Sequence, residues 1–109
     1  NLIFWIRTTR GARPAWLPTR VCDDGRRTWI EFAPDVEAGD LPPLFTVTGE
    51  GAEIVNYRTL QGPSGPRYMI DRIFDIAELR LGTRSATIVR IERNPVDRVR
   101  TRSRRGTRP

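Results

Sequence analysis

The chain has 109 residues, one domain's worth, with nineteen arginines, no lysine, no histidine and a single cysteine. Without histidine no Ser-His-Asp or Cys-His pair can form, and Cys22 alone cannot build a structural zinc site, so no catalytic residue, cofactor or metal ligand is assigned. The net charge of +6 is uneven: residues 95–109 carry Arg98, Arg100, Arg102, Arg104, Arg105 and Arg108 against Asp97 alone, while residues 1–94 are nearly neutral.

No apolar run approaches the ~20 residues that span a bilayer as a helix. The chain opens at Asn1 rather than at methionine and reads as a fragment, a processed product or part of something longer. Nine prolines and nine glycines punctuate short apolar runs, a spacing that predicts an all-β sandwich of about eight short, mainly antiparallel strands over residues 1–93. Residues 94–109 form a separate, irregular arginine-rich tail.

The first predicted strand, Leu2–Arg7, has no preceding neighbour in this chain and is the expected sheet edge. "VCDDGRRTWIEF" predicts a hairpin between strands Arg20–Cys22 and Arg27–Phe32. Asp24-Gly25 suits a two-residue type I′ turn, which sets Cys22 opposite Arg27, Val21 opposite Thr28 and Arg20 opposite Trp29. Val21, Thr28, Ile30 and Phe32 then face the core, and Arg20, Cys22, Arg27, Trp29 and Glu31 face out. A three-residue loop with a bulge at Gly25 is the competing register.

Pro42 and Pro43 make "GDLPPLF" an extended crossover into a strand at Leu44–Thr48. "GEG" at 49–51 is a turn, Glu53–Arg58 a strand and "GPSGP" at 62–66 a longer, exposed loop. "YMIDRIFDIAELRLG" is ambiguous between helix and strand. The strand signals around it favour a strand at Arg67–Ile73, a tight turn over Phe74–Ala77 and a strand at Glu78–Leu81. A continuous helix over Asp71–Leu81 is the alternative. Asp71, Arg72, Asp75, Glu78 and Arg80 interleave both signs, which reads as self-paired charge, with Asp71-Arg72 as a local pair. Ala86–Arg93 is the last strand.

Phe4, Trp5, Trp16 and Trp29 crowd the first third of the chain, and a small core seldom buries three tryptophans completely. Exposed aromatics beside arginine are the usual material of interface hot spots. Phe4, Trp5, Trp16, Arg20 and Trp29 are therefore candidate partner-binding residues, with a cation–π contact expected between Arg20 and Trp29. Arg58, in "NYR", is a candidate for reaching a neighbouring subunit. For all of these, packing in the core or at its rim is the competing reading.

The run "PAWLPTRVCDDGRRTWIEF", "LPPLFTV", "IVNYR", "YMIDRIFDIAELRLG", "ATIVRIER" resembles the C-terminal domain of the TrbG/CagX family, proteins of the outer-membrane core of conjugal transfer and type IV secretion machines. The resemblance implies a β-sandwich in the periplasm, associated with the outer membrane, with no enzyme activity and no cofactor. It implies a homo-oligomeric ring built with a short outer-membrane lipoprotein and a larger channel protein that spans from the inner to the outer membrane. It also implies that an N-terminal domain and a signal peptide precede this segment. A lipoprotein peptide could bind as an added strand. The tail reads as a segment that docks on a partner or as a solvated charge run, and it also supports a different reading of the whole, a small basic nucleic-acid-binding domain, although no aromatics interleave its arginines.

Overall fold

The computed structural model describes residues 4–94, and they form an antiparallel β-sandwich with no α-helix among them. Nine strands follow in order: β1 (Phe4–Arg10), β2 (Arg20–Asp23), β3 (Thr28–Glu31), β4 (Leu44–Thr48), β5 (Gly51–Ile54), β6 (Tyr57–Gly62), β7 (Gly65–Ile70), β8 (Ile76–Leu81) and β9 (Thr87–Arg93). One sheet has the order β1-β9-β8-β4-β5 and the other β2-β3-β7-β6. Strand alternation supplies the core. Val21, Thr28, Ile30, Phe32, Tyr68 and Ile70 come from the four-stranded sheet, and Phe4, Leu44, Ala77, Leu79, Val89 and Ile91 from the five-stranded one.

Tyr68 anchors the centre. Its ring lies 5.0 Å from Phe32, edge-on, and 4.2 Å from Tyr57, and its hydroxyl donates to the Pro42 carbonyl at 2.6 Å. Burial, reinforced by the neighbouring Tyr57, pushes the phenol well above its ordinary pKa, so the donor stays protonated. The extended Leu41–Pro43 crossover is thereby tied to the core.

The split of "YMIDRIFDIAELRLG" into two strands is what the chain adopts, and the helical alternative is not. The boundaries differ: β7 ends at Ile70 and β8 begins at Ile76. Other expectations need correction. Glu53–Arg58 is two strands, not one. β5 pairs with β4 and β6 with β7, and Val55-Asn56 carries the chain from one sheet to the other, with Val55 plugging the core. "GPSGP" is a tight turn: Gly62 opposes Gly65, leaving Pro63-Ser64 at the tip. Gly65 has φ 117°, and a Cβ there would sit 2.8 Å from Pro34 Cα and 2.9 Å from the Phe32 carbonyl oxygen.

The first hairpin is two residues out of the predicted register. Asp23 opposes Thr28, Cys22 opposes Trp29, Val21 opposes Ile30 and Arg20 opposes Glu31. The loop is four residues long, with only Gly25 at positive φ. The cause lies in the two carboxylates. Asp24 Oδ1 accepts from the Arg26 and Arg27 amides at 2.9 and 2.8 Å, and Asp23 Oδ1 from the Gly25 amide at 3.1 Å. A slip of two preserves side-chain parity, so the predicted inward and outward faces stand.

Candidate interaction surface

β1 is an edge: among the described residues its one neighbour is β9. Alternation points Phe4 and Ile6 inward and Trp5 and Arg7 onto the outer face of the five-stranded sheet. Phe4 is 8% exposed and packs 5.7 Å from Phe74, whereas Trp5 is 50% exposed. Abreast of them on β9 stand Glu92, opposite Trp5, and Arg90, opposite Arg7. Pairing is regular from Phe4 to Thr8, then shifts register before Arg10. A bulge of this kind ends the stretch that another strand could extend.

Further across the same face, Glu78 is buried beneath two guanidinium groups. Arg80 Nη2 lies 2.6 Å from Oε1 and Arg90 Nη1 3.2 Å from Oε2. Arg80 also covers the Phe45 ring at 5.3 Å. Ile54 on the opposite edge strand, β5, stands abreast of Phe45 and is 83% exposed. The Glu78–Arg80 pair is the self-paired charge that the interleaved signs predict, two residues apart on one face of a strand, whereas Arg90, Phe45 and Ile54 carry no such signal in the sequence.

The two aspartates of the "DRIFDIAELR" stretch are paired with arginines outside it, farther along the chain than expected. Asp71 pairs with Arg27 at 2.9 Å instead of with Arg72, and Asp75 pairs with Arg93 at 3.2 Å. Backbone pairing between β3 and β7 delivers Arg27 to Asp71, a contact that sequence neighbours cannot reveal.

The candidate residues divide sharply. Trp16, 7% exposed, and Phe4 belong to the core, so the expectation that they form an exposed aromatic patch is corrected. Trp16 lies in a loop where no periodicity assigns a face, and Phe4 takes the inward phase of β1. Trp29 is partly exposed on the outer face of the four-stranded sheet, between Cys22 and Met69. Arg58, exposed, stands abreast of Met69 on β6, so Cys22, Trp29, Met69 and Arg58 form one cross-strand row. Arg20 is exposed opposite Glu31, one row away, because of the hairpin slip. The expected Arg20–Trp29 contact is replaced by two others: Arg93 over Phe4 at 4.8 Å and Arg80 over Phe45. The arginine tail, from residue 95 onward, lies outside the described residues.

Comparison with known proteins adds an independent line. The profile of the CagX family, described as "Conjugal transfer protein", matches residues 3–94, the whole sandwich. A protein of Sinorhizobium fredii named "Probable conjugal transfer protein TrbG" is 37% identical over 62 residues, 57% of this chain. The match covers 23% of that relative, so the chain corresponds to a small part of its length. With a profile spanning all of the described strands, the chain belongs to the CagX family of conjugal transfer proteins.

Proposed function

We propose that this domain is a structural and interaction module of a type IV secretion machine, performing no chemistry itself. It works in the periplasm at the outer membrane, in a homo-oligomeric ring built with a short lipoprotein and a larger membrane-spanning channel protein. Family membership supports the setting. The observation that carries the mechanism is the β1 edge: a regular stretch from Phe4 to Thr8, unpaired on one side among the described residues, beside a half-exposed Trp5. An extended lipoprotein segment adds there as a further strand, its backbone satisfying the edge while Trp5 anchors one side chain. The row Cys22, Trp29, Met69 and Arg58 offers a second surface, on the opposite sheet, to ring neighbours or to the channel protein.

The test is co-purification from membranes with mass measurement of the intact complex, followed by hydrogen exchange. The β1 amides should become protected in the complex. Protection confined to other strands would refute strand addition. The basic tail supports the second reading, nucleic-acid binding, and salt separates the two: phosphate contacts weaken steeply with ionic strength, strand addition only slightly.

A further inference from the structure

We infer that the strand received by β1 is acidic on its outer face, with a carboxylate abreast of Arg7 and an apolar residue two positions away abreast of Trp5. This rests on the strand-addition reading and specifies the partner's chemistry. Arg7 and Arg90 stand directly opposite each other on β1 and β9, a like-charge pair that is unfavourable in an isolated sheet. Arg90 has two counterions, Glu78 across on β8 and Glu92 two residues along β9. Arg7 is exposed and has none among the described residues. The next acid along the chain is Asp23, so Arg7, Arg10, Arg13 and Arg20 run together without one. An added strand would place its own alternating side chains beside Arg7, on the side where none of the described strands pairs with β1.

The same geometry disfavours the other occupants within this sequence. A second copy of β1 paired antiparallel about Arg7 would set arginine against arginine, and in no register would it offer Arg7 a carboxylate, since β1 carries none. The opposite edge strand, β5, carries Glu53, but Glu53 opposes the inward-facing Thr46, whereas Ala52 and Ile54 take the outer face. Docked on β1, β5 would present no carboxylate to Arg7. Residues 95–109 hold six arginines and one acid and do not complement it either.

The experiment selects a random bead library of peptides of about nine residues, long enough for one strand, against the 109-residue chain and its Arg7→Glu variant. Arg7 is exposed, and circular dichroism with Arg7→Ala as a second variant checks that the fold persists. Wild-type selections should enrich Asp or Glu two positions from an aromatic or aliphatic residue, and Arg7→Glu should replace that acid by Lys or Arg. Changing the selected acid to its amide should weaken binding roughly two- to fivefold, the worth of one cross-strand charge pair. Binders that protect the β1 amides but show no acid preference, or the same preference against Arg7→Glu, overturn this inference and leave strand addition standing. No binders, or binders that leave the β1 amides unprotected, overturn strand addition and this inference with it.

Discussion

Arg93 at the end of β9 reaches across the sandwich to Asp23 at the end of β2, with Nη2 2.7 Å from Oδ2. The contact joins the two sheets at one end of the fold. Both side chains are largely shielded, 16% and 9% exposed. The same guanidinium bonds Asp75 at 3.2 Å and stacks over Phe4, while the Arg93 amide donates to the Asp75 carbonyl at 2.7 Å. One side chain thus fixes the hairpin turn, the β7–β8 connection and the inward ring of the edge strand. Removing one partner of such a shielded pair strands the other. Arg93→Ala should cost about 3 kcal/mol, more than loss of the exposed Arg27–Asp71 pair, worth about 0–1 kcal/mol. Urea denaturation of both single variants and the Arg93→Ala/Asp23→Ala double variant checks this. Additive costs would show that the two side chains act independently.

The Asp24 carboxylate of the hairpin predicts a pH response. Backbone amides of Arg27 and Arg26 hold the Asp24 carboxylate below its ordinary pKa of 3.8. A carboxylate with a lowered folded-state pKa adds stability above its unfolded pKa and loses it as pH falls through the folded value. The Asp24 contribution should therefore be full at neutral pH and decline from about pH 4 downward. Asp24→Asn keeps an acceptor without a titrating charge and should flatten that part of the acid profile in urea midpoints measured across this range. An unchanged profile would show that the turn does not depend on the charge.

Much of the fold was legible because period two is a strong signal. Val21, Thr28, Ile30 and Phe32 face the core as their alternation required, even though the register was two residues off. The slip is hidden in the sequence because Asp24-Gly25 reads as a two-residue turn, whereas the Asp24 side chain accepts from the Arg26 and Arg27 amides and widens it. The break at Val55-Asn56 was hidden because both halves read as strand, and only pairing partners on different sheets separate them. For the interaction surface, the phase of β1 separates Phe4 from Trp5. Trp16 lies outside any periodic segment, and its burial follows from tertiary packing alone.

The corrected register yields a spectroscopic prediction. Cys22 is partly exposed and directly abreast of Trp29. A thiol-reactive bimane should label the folded chain at this single cysteine and be quenched by the tryptophan, with Trp29→Phe restoring its emission. In the predicted register Cys22 would face Arg27 and Trp29 would stand diagonally from it, so Trp29→Phe would restore less of the emission. Labelling that required denaturant would show that the outer face is closed.

The strongest contrast lies between aromatic residues that composition alone treats alike. Trp16 is buried, and Trp16→Ala should cost about 3–5 kcal/mol, as truncating a large core ring does. Phe4→Ala should cost a similar amount, since its ring is held between Phe74 and Arg93. Trp5, its sequence neighbour, is half exposed on the other face of β1, and Trp5→Ala should leave the urea midpoint within about 0.5 kcal/mol of wild type. Binding should reverse the ranking. If β1 receives a partner strand, Trp5→Ala weakens that complex by about 1–2 kcal/mol in a titration of the co-purified partner, the scale of a hot-spot truncation. Trp29→Ala tests the second surface: a comparable loss would show that the partner or ring neighbour engages both outer faces. A destabilised Trp5→Ala would mean that the ring supports the edge. Normal folding with normal binding would move the interface away from β1 and leave the row at Trp29 and Arg58 as the surface to examine next.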